Sequence, residues 1–475
     1  MQDHTDLFLD GAWTPAGGSD ALPVTDSFTE AVSARYRSAS AADVDAAVRG
    51  ARRALPGWAA LPVAERAAAV RRIAAALQGE AEALARLIAS EVGMPRKLAA
   101  RIQVGAPLAA WARYADLAEG MAWEHRIGHS LVQQVPVGVV ACITPWNYPL
   151  HQITGKVAPA LLAGCTVVLK PSELAPGSAF ALARAVAAAG LPPGVFQLVL
   201  GTGPAVGEPL LRHPGVDMVS FTGSTQAGRR IAALAGADIK RVALELGGKS
   251  AAVVLDGADL ALALKSTLAS CFLNSGQTCS ALTRLLVPRA QLDTVATLVR
   301  ALLPGYRMGD PADPATRLGP LVSAQQRERV QAQVEAALAR GAQRLSGPPA
   351  ALPATGFFVP PTVLGGVGPD DPIAREEVFG PVLVVLPHDG ADDAVAQANG
   401  TDYGLAAAVW AATPQQALAV GRRLRAGQVD IQGAPFNPEA PFGGFGRSGL
   451  GRENGLHGLQ EFLEPVALQL PPALA

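Results

Sequence analysis

The chain has 475 residues, 49% of them hydrophobic and 17% charged, which predicts two or three globular domains and excludes a disordered protein. Its 39 basic side chains nearly balance 40 acidic ones, so no nucleic acid and no acidic membrane is expected as partner.

The opening MQDHTDLFLDGAW is acidic and lacks the basic region and apolar run of a secretory signal. Residues 41–116 carry a helical period. Val44, Ala47, Val48 and Ala51 recur on one face, as do Val70, Ile73 and Leu77, with breaks expected at Pro56, Pro62 and Gly93-Met94-Pro95. The Arg-containing stretches VRGARR and VRR in this region read as solvated helix faces. From about residue 130 the texture changes to short β-branched runs. VPVGVVACIT, CTVVLKPS, FQLVLG, DMVSFTG, KRVALELGG and SAAVVLD each predict one buried strand. Between them, APALLAG, AFALARAVAAAG and AGRRIAALAG predict helices with glycine stops. This alternation implies a parallel, doubly wound α/β sheet with ligands at the carboxyl ends of its strands. A second α/β pattern covers 266–440, with a helical stretch at 323–340 and strands near 382–386 and 405–410. The longest apolar stretch, 157–169, is interrupted by Pro159 and Gly164, so no membrane span is expected. Cys142, Cys165, Cys271 and Cys279 lack metal-type spacing. Without an export signal, reduced thiols and a cytoplasmic location are the expectation.

Several stretches carry polar groups with chemical potential. In FLNSGQTCSA, Cys279 alone does not decide between a buried hydrophobe, a disulfide partner, a metal ligand and a nucleophile, though the few cysteines and the lack of an export signal make a disulfide a weak reading. The dinucleotide fingerprint G-x-G-x-x-G is absent; GTGPAVG at 201–207 misses it by one residue. FTGSTQAG places Gly223-Ser224-Thr225 between a strand and a helix, which suits either a tight turn with an N-cap or a pyrophosphate site. ELGGKS resembles a P-loop ending, yet Ala243 stands where the first glycine is required. Glu245 in that stretch lies between two leucines at the end of a buried strand, where burial raises a carboxyl pKa toward the range of a general base. PWNYP brackets Trp146 and Asn147 between prolines, stiffening a turn whose asparagine either points into a cleft or bonds its own backbone. Lys170 ends another strand. His125 and His129 have no third ligand, so no metal is expected. No Ser/His/Asp signature is present.

Taken in order, PWNYP, KPSE, FTGST, ELGGK, NSGQTC, EEVFGPV and PFGGFGRSG resemble the motifs of the aldehyde dehydrogenase superfamily through nearly the whole chain. The resemblance implies two doubly wound α/β domains, NAD-binding and catalytic, plus a small β oligomerisation element. Their expected extents are 1–117 with 136–245, then 246–445, then 118–135 with 446–475. A homodimer or homotetramer is implied. The resemblance also implies that Cys279 is the nucleophile, Glu245 the general base and Asn147 an oxyanion donor. Thr144, Pro145, Trp146, Lys170, Ser172, Glu173, Gly203, Phe221, Thr222, Gly223, Ser224, Leu246, Glu377 and Phe379 correspond to cofactor contacts. Lys156 and Glu453 correspond to proton-handling positions. Cys142, Cys165 and Cys271 match no catalytic position.

The implied reaction is oxidation of an aldehyde to a carboxylic acid through a cysteine thiohemiacetal and a thioester. Glu173 beside the ribose favours NAD over NADP, because its carboxylate accepts from a hydroxyl and repels a phosphate. Tyr148, Leu150, His151, Thr278 and Phe436 are expected at the substrate entrance, with no arginine in the tunnel, which disfavours semialdehydes carrying a second carboxylate. The alternatives are a CoA-acylating relative, disfavoured by the presence of Glu245, reduction of an acyl phosphate, disfavoured likewise, and an inactive binding or structural relative, disfavoured by the intact Cys279, Glu245 and Asn147.

Overall fold

The computed structural model describes residues 2–474. Two large sheets organise it. In the first, Arg241–Glu245, Met218–Thr222, Val139–Ile143, Thr166–Lys170 and Phe196–Leu198 lie side by side and parallel. In chain order the strand at 139–143 comes first and the strand at 218–222 fourth, yet they are neighbours. The winding therefore reverses between them and opens a crevice beyond Ile143 and Thr222. Gly449–Leu450 closes one side of the sheet antiparallel to Arg241–Glu245. Asp6–Leu9 and Ala12–Pro15 extend the other side, also antiparallel.

The second sheet runs Gln343–Arg344, Thr362–Gly365, Val382–His388, Leu282–Pro288, Ser250–Val254, Ala406–Trp410, Gln428–Ile431, and is parallel except at the first of these. Alternate residues of the central strand enter two apolar clusters, Ala251 and Val253 on one face and Ala252 and Val254 on the other. Both faces are therefore covered, as a parallel sheet requires. SAAVVLD thus belongs to this sheet and not to the first.

A third sheet joins Leu463–Gln469, Ser130–Pro136 and Glu124–Ile127 antiparallel, with the outer strands largely exposed. The run VPVGVVACIT is accordingly divided. Its first residues finish the strand Ser130–Pro136, and Val139–Ile143 enters the first large sheet.

Two expectations need correction. Pro56 does not end its helix: Ala41–Ala59 runs through it. The proline costs one bond, the one its missing N–H would make to the Arg52 carbonyl, and the helix continues for only three residues beyond it. Trp58, buried just beyond it, donates to the Leu161 carbonyl at 3.0 Å and fastens that end to the domain. The N-terminal region, for which the sequence predicts no strand, contains five between Gln2 and Arg37. No helix among the described residues is long and apolar enough to cross a membrane.

Candidate active site

The chain passes from one large sheet to the other through residues 246–249, and the polar groups gather there. Glu245 is the last residue of its strand and Ser250 the first of the next. Ser448 braces the corner. Its carbonyl accepts from the Leu246 N–H at 2.9 Å, and its hydroxyl donates to the Gly247 carbonyl at 2.7 Å. Both carboxylate oxygens of Glu245 are buried without a hydrogen-bond partner among the described residues. Burial, reinforced by the Glu453 carboxylate, raises its pKa well above the ordinary carboxyl value.

Cys279 lies in the loop between the turn Leu273–Gly276 and the strand Leu282–Pro288. Its backbone carbonyl abuts Gly248, where an added Cβ would sit 2.8 Å from that oxygen. Burial pushes the thiol up to about 12, and the Glu245 and Glu377 carboxylates act in the same direction. All four cysteines are free, and Cys142, Cys165 and Cys271 are fully buried among core residues.

Asn147 joins the first sheet to the cysteine loop. Its Nδ2 donates to the Gln277 carbonyl at 2.9 Å, two residues before Cys279. Its own carbonyl accepts from Asn274 Nδ2 at 2.9 Å and from Gln103 Nε2 at 3.0 Å. Asn274, Ser275 and Gly276 all have positive φ, at 52°, 55° and 79°. This costly run is held from outside: Ser275 donates to the Gly319 carbonyl at 2.7 Å, and Val322 N–H donates to Gln277 Oε1 at 2.9 Å. A Cβ at Gly276 would come within 2.1 Å of the Gly380 backbone, so only glycine fits. Sequence reasoning missed Gln103, Asn274 and Gln277 as supports of this loop. The last two stood in the NSGQTC motif, whereas Gln103 lies in a π-helical turn, Ala99–Gly105, that has no sequence signature.

The remaining candidates surround the crevice. Ser224 caps the helix Thr225–Ala237, accepting from Ala227 N–H at 3.3 Å, and follows the strand that contains Phe221 and Thr222. A Cβ at Gly223 would lie 2.4 Å from the Phe221 ring. Thr222 donates to Gln152 at 3.1 Å. Leu246 packs beneath Gly228 of the same helix. Thr144 Oγ1 is buried without a partner. Pro145 and Trp146 are half-buried beside it, and Phe379, at φ 58°, meets the Trp146 ring edge-on at 5.5 Å. Glu377 accepts from Gly248 N–H at 3.1 Å, and burial raises its carboxyl to about 7. Lys170 ends its strand with Nζ 3.8 Å from Glu173, and burial lowers its pKa. Ser172 accepts from Leu174 N–H at 3.3 Å. Gly203 is exposed at the start of a short turn capped by Thr202. Buried Lys156 pairs with half-buried Glu453 close to Glu245.

A cavity of about 560 Å³ leads to Cys279 and is bordered by Tyr148, His151, Thr278 and Phe436. Tyr148 and Thr278 share a hydrogen bond of 2.8 Å. Two entrance expectations fail. Leu150 is fully buried in the core and does not reach the cavity, because its position on the helix Pro149–Ala163 faces inward. Arginine is not absent: Arg101 and Arg113 both border the cavity.

The fold and this site define an α/β protein with a dinucleotide-type crevice meeting a cysteine-bearing loop. Residues 13–467 match the model of the aldehyde dehydrogenase family. The chain is 42% identical to a 3-succinoylsemialdehyde-pyridine dehydrogenase of a Pseudomonas species, covering 98% of this chain and 99% of that one. It is 40% identical to the geranial dehydrogenase of Castellaniella defragrans, over 95% and 96% of the two chains. Among solved structures, a mutant of aldehyde dehydrogenase C from Pseudomonas syringae, in complex with NAD+ and octanal, superposes with a TM-score of 0.97 at 43% identity, over 98% and 97% of the chains. The chain belongs to the aldehyde dehydrogenase family.

Proposed function

We propose that the protein oxidises an aldehyde to a carboxylic acid with NAD, using Cys279 as nucleophile, Glu245 as base and Asn147 as oxyanion donor. The observation that carries this reading is the convergence of the three at the seam between the sheets, with the Asn147 amide bonded into the loop of Cys279. NAD, when bound, accepts the hydride that leaves the aldehyde carbon.

The residues of the crevice fit such a group. Thr144 offers a buried hydroxyl without a partner, Ser224 heads a helix whose N-terminus favours phosphate, and Lys170 with Glu173 suits a ribose. Trp146 and Phe379 supply an aromatic wall, Glu377 a carboxylate near Gly248, and Pro145, Ser172, Gly203, Phe221, Thr222, Gly223 and Leu246 the surrounding surface.

The thiol of Cys279 is held protonated by its surroundings, so attack needs a base or a nearby positive charge. Glu245 takes that proton as sulfur bonds to the carbonyl carbon and the carbonyl electrons move to oxygen. The second Nδ2 hydrogen of Asn147 and the Cys279 backbone N–H stabilise the oxyanion, an effect of about 3 kcal/mol per preorganised donor. Glu245 then gives that proton to the Lys156–Glu453 pair and so to solvent, and once the carbon has been oxidised to a thioester the freed carboxylate removes a proton from water. The hydroxide adds to the thioester and the cysteine thiolate departs. The thiolate recovers its proton from Glu245, which restores both groups.

The exposed three-stranded sheet supports a dimer or tetramer formed through its outer strands, since exposed strand edges invite pairing. The four free thiols support a reducing, cytoplasmic setting. The test is NADH absorbance with an aldehyde panel. Wild-type protein is expected to turn over, and Cys279→Ala to fall to background while keeping its fold; unaltered turnover in the mutant removes the mechanism.

A further inference from the structure

Within the cavity, the wall formed by Ala99–Gly105 and the helix Ala106–Gly120 has an odd composition. Beside the apolar Ile102, Ala106, Ala110 and Leu117, this wall brings two cations, Arg101 and Arg113, and the phenol of Tyr114 to the cavity. Helical faces that border an apolar chamber exclude charge unless the charge meets something. Arg113 is half-buried, yet its side chain makes no hydrogen bond or ion pair among the described residues. Arg101, exposed at the same wall, makes none either.

The acidic groups around the cavity do not neutralise this pair. Glu453 is committed to Lys156. Asp430 accepts from Gln428 at 2.8 Å, and burial holds its carboxyl above the usual range. Glu439 is exposed and lies outside ion-pair distance of Arg113. Ala106 and Ala110, which border the same cavity on the turns before Arg113, are small, and a guanidinium binds a carboxylate through two parallel hydrogen bonds.

We infer that Arg113 is a specificity-determining residue that binds a carboxylate at the far end of the substrate, so that the preferred substrates are aldehydes carrying a second, anionic group. The inference rests on the dehydrogenase reading. Arg101, nearer solvent, strengthens the positive potential at the entrance and steers such substrates inward.

The test compares succinic, adipic and suberic semialdehydes, their methyl esters and the alkanals of equal length, with NAD saturating, in wild type, Arg113→Gln and Arg113→Lys. At the length that fits, Arg113→Gln is expected to raise KM for the acid about tenfold or more with kcat little changed, the loss typical of a hydrogen bond to a charged group. Esters and alkanals are expected to shift less than about twofold, and Arg113→Lys to recover part of the loss, as a single point charge does. A substitution that leaves the KM of every acid unchanged overturns the inference. So does one that raises KM equally for acids, esters and alkanals, which marks a structural role. Turnover of the alkanals reports on the dehydrogenase reading separately: if wild type oxidises them and Arg113→Gln leaves acid KM alone, only the carboxylate assignment falls. If wild type oxidises none of the nine compounds, both fall.

Discussion

The two large sheets are wound alike but face the cleft with opposite ends. The first presents its carboxyl edge: Ile143, Lys170, Thr222 and Glu245 each close a strand there. The second presents its amino edge: Ser250, Leu282 and Ala406 each open a strand, and Cys279 lies just before the second of these. A doubly wound sheet ordinarily offers its crevice at the carboxyl edge, at the point where the winding reverses. In the second sheet that point is between Ser250–Val254 and Ala406–Trp410, and it is filled. Leu255 N–H donates to the Trp410 carbonyl at 2.8 Å, His388 Nε2 lies 2.8 Å from the Val254 carbonyl, and Gln432 bonds Ala411 from both ends of its amide.

The difference separates two tasks. The carboxyl edge of the first sheet comes with helix N-termini, Ser224 heading one of them, and these suit anionic groups without strain. Among the described residues the helices that follow the second sheet's strands begin at its other edge, so the proposed nucleophile sits on a loop, and the loop's unfavourable backbone is held by neighbours. Asn147 contributes to both, ending the first sheet's crevice while bonded to the second sheet's loop.

Breaking that link is expected to have the largest effect. Asn147→Ala removes the proposed oxyanion donor and also the Gln277 tether, so kcat is expected to fall about 10²- to 10³-fold, read by steady-state NADH formation. If the mutant instead loses only KM, the asparagine belongs to the cofactor edge alone. Next comes the strained loop itself. Gly276→Ala meets both a positive φ and the Gly380 backbone, and is expected to cost about 3 kcal/mol or more by denaturant unfolding. Stability within error of wild type contradicts the claim that the loop is under strain. The smallest effect is expected at the first sheet's far end. Glu173→Gln, with the acceptor kept and the charge removed, is expected to shift selectivity toward NADP by roughly tenfold or less, a change of about 1 kcal/mol. No change means that Glu173 does not face the ribose.

The sequence made the first sheet legible because its strands are apolar on both faces and stand between glycine-stopped helices; Val139–Ile143 and Thr166–Lys170 are wholly buried. The N-terminal strands were hidden. Ala12–Pro15 and Val32–Arg37 are short, polar and mostly on the surface, so no run of buried residues marks them. Cys279, Glu245 and Asn147 were recognisable by resemblance, each inside a motif. What holds them was harder to see, since Gln103 reaches Asn147 from a π-helical turn that displaces the helix face by a residue. The same turn precedes Arg113, whose place on the cavity wall a regular helical count could not give. Leu150 failed for the opposite reason: proximity to a motif says nothing about which face of a helix a residue occupies.

The central claim is that the two edges act on one carbon atom, attached to Cys279 and released by water that Glu245 activates. Glu245→Gln tests both halves at once. With the proposed base removed, attack by the thiol is expected to slow, its proton leaving to solvent instead, and hydrolysis to slow further, so that a long single turnover with NAD and an aldehyde leaves the acyl group on sulfur and mass spectrometry of the digested protein finds the Cys279 peptide heavier by that group. The hydrolysis limb that rises with pH as a raised carboxyl ionises is expected to vanish in the same variant. An acyl group found on another residue, or a Glu245→Gln protein that hydrolyses its thioester at the wild-type rate, contradicts the account.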